Sequence, residues 1–281
     1  MDKRAIHSRL AADAAQGELA FPTSARVAMK LRQTLADPDC PMETVARLVQ
    51  AEPLLSARVV AMANSVTLNP GGRPITDVRA AVMRLGFRTV QTLATALVAR
   101  QLAGARLQGA EQELAGKLWE HTAHVAALCS VIARRFTHVD AETALFAGIL
   151  HEVGGFYLLS RAQEFPGLLD GDYGDWLEEG EAEVGRAILK VLAVPDIVVQ
   201  AVEAYWGGYL AIPPVSLGDT LMIAEDLAPV PSPLHALPDL GAPVPPGGGT
   251  GIDIIIGEDA LSVILAESAE EVRSLSDALT F

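Results

Sequence analysis

Helical periodicity runs through almost the whole chain and restricts its fold more than any other feature. Apolar-face positions return every three or four residues, as at Leu114, Leu118 and His121, which places them on one face of a helix. Half of the 281 residues are hydrophobic but only 5% are aromatic, and such Ala-, Leu- and Val-rich sequences favour close packing of helix on helix. Two short stretches, 211–216 and 252–257, are ambiguous between helix and strand. The sequence therefore predicts an all-α fold.

Proline and glycine divide this pattern into separate helices. A turn is expected at 69–75, which reads NPGGRPI, because Pro and Gly favour turns. Gly86 lies inside a helical stretch and predicts two helices or one kinked helix, and Gly154 with Gly155 predicts a second interruption. The stretch 229–251 is rich in Pro and Gly, so we expect a flexible loop there, followed by an amphipathic C-terminal helix.

Charge is unevenly distributed between the two halves of the chain. Residues 1–110 carry 14 Lys and Arg against 8 Asp and Glu, whereas residues 111–281 carry 7 against 27. This split predicts a basic helical subdomain over 1–110 and an acidic one over 111–281. The acidic half should repel nucleic acid and anionic membranes. The basic half is expected either to attract the acidic half or to contact an acidic partner. Arg84 and Arg88, one helical turn apart, leave the same two alternatives open.

The compartment is indicated by what the sequence lacks. No apolar run approaches the roughly 18 residues of a membrane span, and the charged N-terminus does not resemble a signal peptide. Cys40 and Cys129 have no motif spacing, so a disulfide framework is not expected. These features predict a cytoplasmic protein that does not bind membranes.

Four residues form a candidate metal site: His121, His151, Glu152 and Glu225. His121 lies on the apolar face of one predicted helix, and the adjacent His151 and Glu152 end another apolar run. Imidazole and carboxylate together suit a divalent ion such as Mn²⁺, Fe²⁺ or Zn²⁺, which activates water for attack on a phosphate ester. Neighbouring residues of a helix point about 100° apart. The pair can therefore face one ion only if the ion lies between their two directions.

The alternative is that these histidines are structural. A lone His on an apolar helix face is more often a core residue bonded to a backbone carbonyl, and the residues alone do not decide between the two interpretations. The other histidines are expected at the surface. They are His7, His124, His138 and His235.

Several stretches in order resemble the HDOD family of bacterial signalling domains, which is related to the HD and HD-GYP phosphohydrolases. The most specific are ANS at 63–65, AAVMRLG at 80–86 and GILHEVG at 148–154. The resemblance extends from about residue 5 to the final helix and implies a single HDOD domain over 1–281. It implies an N-terminal helical subdomain packed on an HD-like helical bundle. It also implies a regulatory role, since HDOD proteins are generally seen as signalling modules without demonstrated enzyme activity.

Four residues of these motifs are expected to be structural. Asn64 and Ser65 stand at a helix end before a turn, where their side chains satisfy free backbone groups. Gly86 and Gly154 are the glycines at the ends of the other two motifs. None of the four is expected to take part in chemistry.

The departures from an active HD site bear on catalysis. HD-type metal sites use a His, a His-Asp pair and a later Asp, and these map to His121, His151, Glu152 and Glu225. Both acids are thus Glu, whose extra methylene displaces the ligand oxygens, and catalytic sites tolerate little displacement. The positions of the additional HD-GYP histidines map to Glu181, Tyr205 and Trp206, and none of these is His. The GYP signature is also absent, which argues against a binuclear phosphodiesterase.

Two functions remain from the sequence. The first is a regulatory protein that binds a protein partner or a small signalling molecule, with no catalytic residue and no required cofactor. The second is a phosphohydrolase with a single Mn, Fe or Zn ion held by the four mapped residues. Nucleic-acid binding is not expected, because no basic patch with interleaved aromatic residues is present. The sequence does not indicate an oligomeric state.

Overall fold

The predicted all-α class is confirmed over the part of the chain that the structure describes. The computed structural model describes residues 2–16, 30–31, 33–35, 37, 39–102, 107, 109–171, 173–235 and 258–279. Helices, turns and irregular segments occupy these ranges, without a strand. The ambiguous stretch 211–216 is irregular, and 252–257 lies outside the described residues.

The helices of the described residues occur in this order along the chain. They are α1 Lys3–Ala15, α2 Met42–Gln50, α3 Pro53–Ala63, α4 Val78–Leu102, α5 Ala110–Ile132, α6 Ala141–Leu150, α7 Val153–Arg161, α8 Glu181–Val191, α9 Asp196–Gly207, α10 Leu217–Asp226 and α11 Glu258–Leu279. Short π-helical turns at Ala133–Thr137 and Trp176–Gly180 continue α5 and precede α8. The apolar faces of these helices meet in one contiguous core.

The turn after α3 is held by Asn64. Its side-chain amide donates to the carbonyls of Val60 and Ile75 at 2.9 and 2.7 Å, and its Oδ1 accepts from the Ile75 amide at 2.8 Å. Ser65 acts through its main chain, whose carbonyl accepts from Leu68 and Asn69. Its buried hydroxyl has no hydrogen-bond partner among the described residues. The side chain of Asn64, and not that of Ser65, therefore fixes the path from α3 to α4.

Helix α4 bends at Gly86. This residue has φ 75° and ψ 166°, a left-handed backbone conformation that glycine adopts without steric cost. Helix α4 packs on α2 and α3 and also on α6 and α7. It thereby connects the N-terminal helices to those that carry the candidate site.

The second expected interruption lies three residues earlier than the glycines. Helix α6 ends at Leu150 and α7 begins at Val153, so the break falls at His151 and Glu152. Gly154 and Gly155 lie inside α7, and the prediction that they break the helix was wrong. Gly154 serves close packing instead, because a Cβ there would stand 3.0 Å from the backbone nitrogen of Gly185 in α8.

The two halves of the chain contact each other through several helices. Helix α1 packs on α8, α11 packs on α3, and α4 packs on α6 and α7. Ion pairs also join the halves, with Arg4 at 2.7 Å from Asp175 and 2.5 Å from Glu178. These contacts support the alternative that the basic half attracts the acidic half. The subdomain boundary near residue 110 stays a prediction.

The two arginines of α4 behave differently. Arg88 lies 3.1 Å from Asp140 and 3.7 Å from Glu142, both acids of the other half. Arg84 donates to the carbonyl of Leu68 at 3.2 Å within its own half. Exposed ion pairs such as those of Arg88 contribute only about 0–1 kcal/mol, so the pairing orients the halves more than it stabilises them.

Within the described ranges, one apolar stretch meets the length and composition of a membrane span. Residues Ala141–Glu164 have a mean hydropathy of 1.2 over their most apolar window, and 83% of that window is buried inside the fold. The sequence-based expectation missed this stretch because Glu142, His151 and Glu152 interrupt its apolar residues. Such burial is typical of core helices, which α6 and α7 are.

Asp219 anchors the N-terminus of α10, the helix that carries Glu225. Its buried carboxylate accepts from the amides of Ala211, Val215 and Ser216 at 2.9, 3.0 and 2.9 Å, and it forms a reciprocal capping box with Ser216. Burial acts to raise the pKa of Asp219, but these hydrogen bonds outweigh it and hold that pKa below its usual value.

The substitution Asp219→Asn should destabilise the protein by about 1–3 kcal/mol at neutral pH, because it places a donor where amides already donate. Since the folded-state pKa lies below the unfolded value of about 3.9, the stabilisation by Asp219 is present above that value and is lost as pH falls through the folded pKa. Urea unfolding of both proteins at several pH values measures this. The difference between them should shrink in acid, and an equal difference at pH 7 and pH 3 would contradict the assignment.

Candidate metal centre

The four mapped residues converge at one buried point. The Nε2 atoms of His121 and His151 lie 3.3 Å apart, and each lies within 3.2 Å of Oε2 of Glu225. Oε2 of Glu152 lies 3.4 Å from Nε2 of His121 and 3.6 Å from Nε2 of His151. Both histidines have no exposed surface and Glu152 is 1% exposed. The cluster is thus closed to solvent on the side of α5 and α6.

The tautomers of His121 and His151 follow from the hydrogen bonds of their Nδ1 atoms, which point away from the cluster. Nδ1 of His121 lies 2.7 Å from the carbonyl of Val230, and Nδ1 of His151 lies 2.7 Å from the carbonyl of Gly148. A carbonyl only accepts hydrogen bonds, so each Nδ1 carries a hydrogen and each neutral ring turns the lone pair of Nε2 inward. Two facing lone pairs repel unless a proton or a metal ion lies between them. The structural and the metal-binding interpretation of these histidines are therefore compatible, since each ring bonds a backbone carbonyl and also faces the cluster.

The break between α6 and α7 aims the adjacent pair at the same point. His151 keeps helical dihedral angles, whereas Glu152 has φ −110° and ψ 26°. On a continuous helix the side chains of His151 and Glu152 would point about 100° apart. The non-helical backbone of Glu152 changes that angle, so both side chains can face the same point. The end of α6 therefore supplies two side chains to the centre.

A further histidine completes the centre. His235 follows α10 on the segment 230–235, with Nε2 at 3.3 Å from both Glu152 and Glu181 and Nδ1 at 3.6 Å from Glu225. Its side chain is 22% exposed, so the prediction that His235 is a surface residue was wrong. It lies in the Pro- and Gly-rich stretch, where no periodicity marks a buried face.

The segment 230–235 lies over the centre. The carbonyl of Val230 accepts from His121, and the hydroxyl of Ser232 donates to Oε1 of Glu152. Leu234 is fully buried, and a Cβ on Gly155 would stand 2.6 Å from its Cδ1. Residues 230–235, near the start of the stretch where a flexible loop is expected, are therefore packed on the centre. Residues 236–251 lie outside the described ones.

The three positions that map to the additional HD-GYP histidines have separate roles. Glu181, 5% exposed, faces His235. Tyr205 contacts the rings of His151 and His235, with centroids 5.6 and 6.5 Å away. Trp206 packs on Gly185, where a Cβ would stand 2.4 Å from its ring. The first two thus border the centre, and Trp206 supports the packing of α8.

Charge in the centre is balanced between imidazoles and carboxylates. Burial acts to lower the pKa of His121, but the carboxylates of Glu152 and Glu225 outweigh it and raise that pKa to about 9. Burial also acts to lower the pKa of His235, but the carboxylates of Glu152, Glu181 and Glu225 outweigh it and raise that pKa to about 11. Burial acts to raise the pKa of Glu225, and the imidazoles overcome it and hold that pKa well below its usual value. Burial raises the pKa of Glu181. The centre therefore attracts cations, whether protons or a metal ion.

The remaining histidines lie outside the centre. His7, 3% exposed, packs edge-on against Trp176 at 5.3 Å, so its predicted surface position was wrong; it fills a gap above Gly180, where a Cβ would stand 2.5 Å from its Nδ1. His124 is half-buried with its Nδ1 2.9 Å from the carbonyl of Glu120. His138 is exposed, as predicted.

The residues fit a divalent metal ion. His121, His151 and Glu152 each offer one ligand atom, and these atoms lie within 4.8 Å of one another. Oε2 of Glu152 is buried and has no hydrogen-bond partner among the described residues, which leaves it free to act as a ligand. Mixed imidazole and carboxylate donors suit Mn, Fe or Zn. The carbonyl-bonded Nδ1 atoms supply the outer support that metal-binding histidines ordinarily have.

Solved structures share this fold over nearly the whole of this chain. The "Putative metal-dependent phosphohydrolase" from Shewanella amazonensis SB2B is 21% identical with a TM-score of 0.72, covering 99% of this chain and 100% of that one. An HDOD domain protein of unknown function from Geobacter sulfurreducens is 21% identical with a TM-score of 0.60, covering 98% of each chain. A "Putative signal transduction protein" from Marinobacter aquaeolei VT8 is 17% identical with a TM-score of 0.60, covering 100% of this chain and 67% of that one.

Sequence comparison gives the family. No curated protein matches this chain significantly. The model of the HDOD domain matches residues 21–206, a range that contains α2 to α8 and most of α9, with three of the four mapped residues. Since this range is more than half of the sequence, the chain belongs to the HDOD domain family.

Proposed function

We propose that this protein is a signalling module that holds a divalent metal ion in its buried His–Glu centre and acts by binding a partner. The observation that carries the proposal is the pair of facing Nε2 atoms of His121 and His151, 3.3 Å apart beside two carboxylates. In the neutral state, rings in these tautomers present two lone pairs to one point, which is the arrangement of a ligand pair. A bound ion would take the place of the proton that the raised pKa of His121 retains.

The roles of the residues follow from their contacts. His121, His151, Glu152 and Glu225 would hold the ion, and the carbonyls of Val230 and Gly148 would keep both rings oriented. When bound, such an ion acts as a Lewis acid and lowers the pKa of a bound water. The chain itself supplies burial and charge balance.

The coverage of the centre favours binding over turnover. The two histidines and Glu152 have at most 1% exposure, and segment 230–235 lies over them. A cavity beside α9 and α10 is lined by Ile197, Gln200 and Ala204, and another lies beside the start of α5; neither is lined by a residue of the centre. A phosphate ester would have to displace the covering segment before it reached the ion.

The partner would be a protein or a small signalling molecule, in the cytoplasm. Membership of the HDOD family and the similarity to a protein named for signal transduction support this class. Both cysteines are free and buried, which is consistent with a reducing compartment.

A second candidate function is hydrolysis of a phosphate ester at a single metal ion. It is favoured by the convergence of all four residues that map to the HD ligands, and by the similarity to a protein named as a metal-dependent phosphohydrolase. Under this alternative, segment 230–235 would open to admit the substrate.

Metal content and turnover, measured on the same preparation, test the proposal. Protein purified without chelator or affinity metal should contain Mn, Fe or Zn by elemental analysis, and should hydrolyse neither p-nitrophenyl phosphate nor cyclic dinucleotides above the rate of the His121→Ala variant. Metal with variant-sensitive turnover at ordinary enzyme rates would establish the second candidate. Absence of metal after incubation with Mn²⁺, Fe²⁺ or Zn²⁺ would refute both.

A further inference from the structure

The two oxygens of Glu152 face in different directions. Oε2 lies 3.4 and 3.6 Å from Nε2 of His121 and His151. Oε1 lies 3.3 Å from Nε2 of His235 and also accepts from the hydroxyl of Ser232. One carboxylate therefore contributes to two groups of ligand atoms.

The two carboxylate oxygens of Glu225 also face different histidines. Its Oε2 lies 3.1 Å from His121 and 3.2 Å from His151, whereas its Oε1 lies 3.6 Å from Nδ1 of His235. Two carboxylates thus stand between the pair of histidines on one side and His235 on the other. Carboxylates in this position bridge the ions of two-metal sites.

We infer that Glu152, Glu181 and His235 hold a second divalent cation, so that the centre takes two ions that share Glu152. The inference rests on the proposed function, because it presupposes the first ion at His121 and His151. The second group is assembled from three elements: the turn before α7, the start of α8 and the segment after α10. Its ligand atoms lie within 4.8 Å of one another.

The state of Glu181 supports this site independently of Glu152. The residue is 5% exposed, its Oε2 lies 3.3 Å from His235, and its Oε1 is buried without a hydrogen-bond partner among the described residues. Burying a carboxylate oxygen without a partner is costly, and a cation removes that cost. Close packing of Gly154 on Gly185 fixes α8, so Glu181 cannot easily withdraw.

His235 would supply the imidazole of this second site, a role that the sequence alone does not indicate. The resemblance maps the additional HD-GYP histidines to Glu181, Tyr205 and Trp206, and the ring of Tyr205 stacks on that of His235 at an angle of 27°. The imidazole reaches the site from the segment after α10 instead. Two carboxylates and one imidazole are donors that suit Mn²⁺ or Fe²⁺.

Metal stoichiometry of the full-length protein tests the inference, with Mn²⁺ alone as the probe. The wild type, freed of metal and reloaded, should bind about two equivalents of Mn²⁺, and His235→Ala and Glu181→Gln should each bind about one. The exposed His138 is the matched control, and His138→Ala should retain the wild-type value. Spin coupling in the electron paramagnetic resonance spectrum of the loaded wild type should disappear in His235→Ala.

The outcomes separate this inference from the proposed function. About one equivalent in the wild type, unchanged in His235→Ala and lost in His151→Ala, would overturn the second site and leave the first in place. No bound Mn²⁺ in the wild type would overturn both. Circular dichroism of each variant checks folding, and if His235→Ala fails to fold, Glu181→Gln decides the result because it preserves the shape of the side chain.

Discussion

The substitution His151→Ala should weaken binding of the metal ion by more than about 100-fold, since loss of even an outer-shell partner costs about 10–100-fold in affinity. The variant removes one of the two facing Nε2 atoms, which lies 3.6 Å from Glu152 and 3.2 Å from Glu225. Elemental analysis of the purified protein and titration with Co²⁺, followed by its visible absorption, measure the loss.

His124→Ala is the matched control for this experiment. His124 lies on α5, three residues after His121, but its ring bonds the carbonyl of its own helix at Glu120 and does not face the centre. Its removal should leave metal affinity unchanged. Equal metal content in His151→Ala and the wild type would show that the imidazole pair is a structural core feature.

The substitution Gly148→Ala should destabilise the protein by about 1–3 kcal/mol, the usual cost of overpacking a core. A Cβ at this position would stand 2.5 Å from Cα and 2.9 Å from the nitrogen of Ala126 in α5. Both contacts are with backbone, so α5 and α6 would have to separate. Equilibrium unfolding in urea measures the change in free energy.

Gly116→Ala provides the control, because it makes the same substitution on an exposed position of α5 where a Cβ meets nothing within 4 Å. That variant should gain about 0.5–1 kcal/mol, since alanine loses less backbone entropy than glycine in a helix. The carbonyl of Gly148 also accepts from His151, so Gly148→Ala should lower metal affinity as well. Unchanged stability in Gly148→Ala would mean that the two helices adjust without cost.

The helices were predictable because each buries one face. Leu10 and Ala14 of α1, and Leu118 and His121 of α5, are buried at the spacing that the sequence displays. The break at His151 was not predictable in the same way. Glycine signals conformational freedom, but at Gly154 it permits contact with another helix, and that contact is visible only in the tertiary structure.

The candidate site was predictable only in part, for a related reason. His121 and His151 stand in apolar helical runs, where a polar residue is conspicuous. His235 stands among prolines and glycines, and its place is set by contacts with Glu152 and Glu181, which are distant in sequence. The spacing of residues within one stretch of sequence does not reveal contacts with residues that are distant in sequence. The expectation of a single-ion site followed from the absence of histidine at Glu181, Tyr205 and Trp206. That pattern does not show that His235, from another segment, lies beside Glu181.

The covering segment 230–235 has a consequence for the rate at which a bound ion is exchanged. It is attached by the Val230 carbonyl, the Ser232 hydroxyl and the buried side chain of Leu234. An ion in the centre would exchange faster when these attachments open, and such local unfolding is an infrequent event. Metal occupancy would then record which ion was available when the chain folded, and would change little with later fluctuations in concentration. A partner that grips or releases this segment would control the lifetime of the bound ion.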